Sequence, residues 1–125
     1  MILFCEGNVP SSKNGRQWTG KYFIASKATN RWRKDTKWWW KENKDKFVEK
    51  TKDKNLPLRI GMHFVRGSKH KYDWLNPAQT IQDEMVTYGW MEDDNTSIIV
   101  PVPFKVNGVY SSYNKEKPGV YIKIY

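Results

Sequence analysis

Leu58-Arg59-Ile60-Gly61-Met62-His63-Phe64-Val65 alternates apolar with other residues and then closes on an apolar pair. A period of two is the pattern of a β-strand, and the closing pair suits a strand covered on both faces. The segment therefore reads as the central strand of a sheet. Pro57 stands just before it and ends any helix approaching from upstream.

Upstream, the segment from Lys27 to Lys50 has helical periodicity. Ala28, Trp32, Trp39 and Phe47 fall near one face, although Thr36 and Asn43 interrupt the stripe. On another face Lys34, Lys37, Lys41 and Lys44 recur at helical spacing, so a long amphipathic helix with one strongly basic side is expected. Ile2 to Cys5 reads as a first strand, and residues 7–15 are turn chemistry throughout. Trp18 to Ile24 reads either as a short hairpin or as an extended segment.

Downstream, Arg66-Gly67-Ser68-Lys69-His70-Lys71 is a basic loop leading to Asp73. A second helix follows, with Asn76 expected as N-cap, Pro77 at the first helical position and Gln79 in a capping box. Gly89 is the expected residue just past its end, and Ala78, Ile81, Met85 and Tyr88 are its buried stripe. Ser97 to Phe104 reads as a strand at a sheet edge or one that ends early, because of Pro101 and Pro103. After a polar loop from Tyr110 to Pro118, residues 119–125 alternate as a final strand. The order β–α–β–α–β–β predicts an α+β (mixed α/β) fold on one small sheet, a single domain over 1–125 without repeats or linker.

Charge is unevenly distributed. The net charge is +9, from 22 Lys and Arg against 13 Asp and Glu. Between Asp73 and Asn95 there is no Lys or Arg, yet six acids occur: Asp73, Asp83, Glu84, Glu92, Asp93 and Asp94. A basic body attracts polyanions by counterion release. An acidic cluster inside it would repel phosphate unless a divalent cation bridged the two. The competing reading is an ordinary solvated acidic helix on a basic protein. No apolar run is long enough to span a bilayer, and the N-terminal segment has no basic region ahead of its apolar residues, arguing against a signal peptide. The single cysteine, Cys5, cannot form an internal disulfide; it is expected to be a buried, inert thiol, which suits a reducing cytosol.

On a helical wheel Asn76, Gln79 and Asp83 fall within about 60° of one another, opposite Ala78, Ile81 and Met85. A helix of about 12 residues is roughly 18 Å long, so the acids at its two ends meet only if the chain after Gly89 folds back beside it. A strand leaving near Ser97 and pairing beside Leu58–Val65 would allow that. The carboxylates would then offer hard oxygen ligands to Mg²⁺, which activates water and neutralises a leaving oxygen. A simple turn at Asp93 and Asp94 explains the same spacing.

The block Asp73-Trp74-Leu75-Asn76-Pro77-Ala78-Gln79, then Asp83, then Gly89-Trp90-Met91-Glu92-Asp93-Asp94, resembles RusA-like Holliday junction resolvases. Their pattern is D-x-D-N-x-x-K, an acid on the following helix, then G and a D-D pair. Pro10-Ser11-Ser12-Lys13-Asn14 is similar to their P-x-S-x-N loop. The resemblance implies a Mg²⁺-dependent endonuclease, with Mn²⁺ as the other candidate ion, acting on four-way junctions as a homodimer in a bacterial or phage-infected cytoplasm. It implies metal ligands at Asp73 and Asp94 with Asp93 in support, and catalytic roles for these three and Asp83. Two positions depart from the pattern: Leu75 replaces the second acid and Gln79 replaces a lysine. Asp83, Glu92, Asn76 or water is then left to complete the ligand set.

DNA contacts are expected from Lys13, Arg16, Lys34, Lys37, Lys41, Lys69, Lys71, Asn76 and Gln79, reading shape and phosphate rather than base sequence. Of Trp38-Trp39-Trp40, Trp39 is expected in the core, one neighbour at a subunit interface and one partly exposed. His63 is expected to be packed and His70 to meet solvent or phosphate. No nucleotide-binding fingerprint is present. The alternatives are a non-catalytic, structure-selective DNA-binding protein on the same fold, or a basic structural protein.

Overall fold

The computed structural model describes residues 1–10 and 27–125, and the backbone of residues 16–18 and 23–25. The elements run β1 (Ile2–Glu6), β2 (Arg16–Trp18), β3 (Phe23–Ala25), α1 (Lys27–Thr51), β4 (Leu58–Arg66), α2 (Leu75–Thr87), β5 (Ile99–Pro103), β6 (Ser112–Tyr113) and β7 (Gly119–Ile124). The fold is α+β, with two helices on a five-stranded mixed sheet of order β1-β7-β4-β5, β6 also pairing with β4. β4 is central: it is antiparallel to β7 and parallel to β5 and β6. β2 and β3 form a separate antiparallel hairpin, one of the two readings open for that segment. The predicted order lacked this hairpin's two strands and β6, which lies inside the segment read as a polar loop. At two residues, β6 is too short to leave a periodic signal.

β5 is an edge strand, so Pro101 and Pro103 lie where a missing N–H is tolerated. The two faces of the sheet differ. Leu3, Cys5, Ile60, Met62, Phe64, Val120, Ile122 and Ile124 belong to the buried cluster that also takes in Trp32, Trp39, Trp40, Phe47, Ala78, Ile81 and Met85 from the helices. Cys5 is buried, and its thiol is pushed up to about 12, chiefly by desolvation, as an inert thiol should be.

On α1 the buried stripe is Thr29, Trp32, Thr36, Trp39, Trp40, Asn43 and Phe47. Ala28 is exposed rather than buried, because Thr29 takes the stripe's place in the first turn. Thr36 and Asn43 tolerate burial because each donates to a carbonyl one turn back, Thr36 Oγ1 to Trp32 O and Asn43 Nδ2 to Trp39 O, both at 2.9 Å. Trp39 and Trp40 are both core residues and Trp38 is 63% exposed. So the triplet divides two in and one out.

The start of α2 departs from expectation. Asn76 is not its N-cap, and Pro77 and Gln79 do not hold the first-position and capping-box places. The helix begins at Leu75, because Asp73 Oδ1 accepts Leu75 N–H at 3.1 Å and Asp73 O accepts Asn76 N–H at 3.1 Å. Trp74 is anchored there by its indole N–H, which donates to Met62 O at 3.2 Å. Pro77 falls within the first turn, where its missing N–H had no intrahelical partner to lose. The far end follows expectation: Gly89 has φ +74°, Gly89 N–H bonds to Val86 O, and Trp90 N–H bonds to Met85 O at 2.8 Å. These are the paired bonds of a Schellman closure.

Candidate active site

The chain after Gly89 folds back beside α2. Asp93 Oδ1 accepts Asp94 N–H at 2.8 Å and its Oδ2 accepts Asn95 Nδ2 at 3.0 Å, which braces the chain just ahead of the turn closed by Asn95 O. These bonds hold the Asp93 carboxyl below its ordinary value, the Asp94 backbone contact contributing most. The returning chain brings Asp94 to the middle of α2. There Gln79 Nε2 donates to Asp94 Oδ2 at 2.7 Å and to Asp83 Oδ1 at 2.8 Å. One amide nitrogen therefore keeps two carboxylates, 11 positions apart in sequence, within two hydrogen-bond lengths of each other.

Asp83, Asp93 and Asp94 line a cleft of about 470 Å³ with Arg33, Glu84, Val86, Thr87 and Tyr88. Glu84 is 3% exposed; its Oε1 lies 3.4 Å from Arg33 Nε, and its Oε2 has no hydrogen-bond partner. Desolvation pushes its carboxyl above the ordinary range. Asp83 adds to that shift, and Arg33 opposes it. In the sequence Glu84 stands only as one of the six acids of the window, with no role of its own, and Arg33 has none. The available signal was position: Glu84 lies between Ile81 and Met85 on the buried side of α2, where an acid needs a cationic partner.

Asp73 is exposed at the start of α2 and is not among the residues lining the cleft. Its Oδ1 serves the first turn of the helix. Among the described residues no three His, Cys, Asp or Glu side chains gather into a group that could hold a metal. Of the candidates for a further ligand, Asp83 joins Asp94, whereas Glu92 lines a different hollow with Thr51, Leu56, Trp90 and Met91. Asn76 is half-buried in the first turn. The two carboxylates offer the hard oxygens through which Mg²⁺ is commonly bound, and the Gln79 amide NH₂ between them would have to give way to an ion.

The surroundings are basic. Arg33 reaches into the cleft from α1, where Lys34, Lys37 and Lys41 are exposed, and Trp38 lies at helical spacing from Lys34 and Lys41. Lys44 Nζ lies against Gly89 at the C-terminus of α2, where a cation meets the negative end of the helix dipole. The helices are also joined by Trp40 stacked on Tyr88 and by Trp90 Nε1 donating to Trp40 O at 2.9 Å. Lys69 and Lys71 are exposed on the loop after β4. The N-terminal loop docks nearby: Thr80 Oγ1 donates to Pro10 O at 2.8 Å and Arg66 Nη1 to Val9 O at 3.1 Å. Lys13 lies outside the described residues, as does the side chain of Arg16.

His63 is fully buried, its Nδ1 3.0 Å from Phe104 O and its Nε2 2.7 Å from Ser112 Oγ, which makes it a packing residue. No helix among the described residues is long and apolar enough to cross a membrane. No protein-family model matches the chain, and no curated protein matches it.

Proposed function

We propose that the protein is a RusA-like, Mg²⁺-dependent endonuclease acting on branched DNA, four-way junctions above all, as a homodimer. The observation that carries this reading is the convergence of Asp83 and Asp94 on Gln79, beside a helix with an exposed row of lysines. Asp83 makes good the acid that Leu75 lacks. Mg²⁺, or Mn²⁺ in its place, would be held by Asp94 and Asp83 and would supply positive charge at the scissile phosphate and a more acidic water. Asp73, at the head of the same helix, lies outside the cleft. Asp93 braces the segment that carries Asp94, and Gln79 sets the spacing of the two carboxylates. Lys34, Lys37, Lys41, Lys69 and Lys71 hold the DNA backbone. Two-fold symmetry suits the paired cuts that a junction requires.

A second reading has an observation in its favour. Gln79 already satisfies Asp83 and Asp94 with a neutral donor, so the pair has a partner without a cation. On that reading the protein binds branched DNA and does not cut it. Incubating the protein with a labelled four-way junction and with linear duplex, in Mg²⁺, Mn²⁺ or EDTA, separates the two. The nuclease reading expects metal-dependent nicks confined to the junction. Junction binding without nicks in either metal selects the binding protein.

A further inference from the structure

The sheet face turned away from the helices carries a second, unassigned surface. Pairing puts Phe4 beside Tyr121, and Gly61 beside Lys123. All four belong to the opposite face from the buried cluster, because side chains alternate along each strand. Gly61 has no side chain where one would collide: a Cβ there would lie 2.8 Å from the ring of Phe104 and 3.1 Å from that of Tyr125. Two aromatic rings thus lie against the sheet over a glycine. Cations sit above the rings: Lys123 Nζ is 4.7 Å from the Tyr125 centroid and 5.9 Å from that of Phe104, and the Arg59 guanidinium is 4.8 Å from Tyr125. Phe4 and Tyr121 are 4.6 Å apart between centroids, with Lys117 Nζ 5.9 Å above Phe4. These two rings line a hollow of about 310 Å³ with Val65, Asn114 and Lys117.

We propose that this face binds single-stranded DNA, one base entering the Phe4–Tyr121 hollow and the phosphates lying along Lys117, Lys123 and Arg59. Rings with cations above them match an unstacked base and its phosphate, since every base has a π-face and every link a negative charge. A duplex presents no free base face. A second copy of the chain fits poorly, because a two-fold contact through this face would set one cationic patch against the same patch of the partner. The surface shares no residue with the acidic cleft, so its test does not depend on cleavage.

Fluorescence anisotropy with a labelled oligo(dT) and a duplex of equal length tests it. The proteins compared are the wild type, Tyr121→Leu, Tyr121→Phe, Lys117→Ala/Lys123→Ala and, as a remote control, Lys54→Ala. Tyr121→Leu should weaken oligo(dT) binding at least about fivefold and leave duplex binding unchanged, and Tyr121→Phe should restore it. The double lysine variant should flatten the salt dependence for oligo(dT) by about 0.7 per lost contact, and Lys54→Ala should match the wild type. Wild-type oligo(dT) affinity in both Tyr121→Leu and the double variant would overturn the proposal. So would equal losses for oligo(dT) and duplex, which mark a charge patch with no base pocket. A change in sedimentation with intact oligo(dT) binding would instead make this face a subunit interface. Junction cleavage, read on the same variants, stands or falls separately.

Discussion

At Glu84 a carboxylate is almost sealed from water, with one oxygen near Arg33 and the other without a partner. Its folded pKa is raised above the ordinary 4.5, so the proton is bound more tightly in the folded chain. The stability this contributes is fully present below about 4.5 and is lost as pH rises through the raised folded value. Glu84→Gln removes the titration. Thermal melts should show the variant gaining on the wild type as pH climbs through that window, with no such trend below it; a constant difference at all pH values would mean that burial is not what strains Glu84. At the neighbouring carboxylates, Asp83→Asn should reduce junction cleavage nearly as much as Asp94→Asn while binding survives. Normal cutting by Asp83→Asn would assign the missing ligand elsewhere. Asp83 and Asp94 were legible as site candidates from the acidic window and the motif register. Gln79 was legible as a neighbour of Asp83 on one helix face and as a departure from a lysine, but not as the donor that joins Asp83 to Asp94, because a sequence does not show where an amide points. Asp73 was read as a ligand, but its role at the head of α2 was missed because Asn76-Pro77 imitates a helix start.

Among the elements, α1 and α2 divide the work between charge and geometry. Replacing Lys34, Lys37 and Lys41 together by Ala should weaken DNA binding for all sequences and reduce the salt slope by up to about 0.9 per lysine that contacts a phosphate. An unchanged slope would show that this face of α1 points away from DNA. At the end of α2, Gly89→Ala puts a Cβ at φ +74°, in the left-handed region, and 3.1 Å from Lys44 Nζ. The lysine can move but the backbone cannot, so a loss of about 1–2 kcal/mol is expected in denaturant titration. Because the Schellman bonds at Gly89 start the return of the chain toward Gln79, this variant should also lower cleavage. The length and basic face of α1 were readable from spacing. The burial of Thr36 and Asn43 was not, since it depends on bonds to carbonyls one turn back that composition does not reveal.

For the whole molecule, one strand organised most of what could be foreseen. Leu58–Val65 was recognisable as central, and the parallel β5 beside it follows from the return of the chain after α2. The antiparallel insertion of β7 between β1 and β4 was not foreseeable, because alternation identifies a strand and its faces without naming its neighbours. The contrast between a basic body and one acidic segment was visible in charge counts alone. The convergence of Asp83 and Asp94 on Gln79 was not, and the central claim that this cleft cuts DNA rests on it. The most direct measurement compares wild type with Asp94→Asn on one labelled four-way junction, recording binding and Mg²⁺-dependent cleavage in the same samples. The account predicts that Asp94→Asn binds the junction at least as tightly as wild type, having lost a negative charge that faces phosphate, and does not cut it. Equal cleavage by the two proteins, or no cleavage by the wild type in Mg²⁺ or Mn²⁺ despite tight binding, would contradict it.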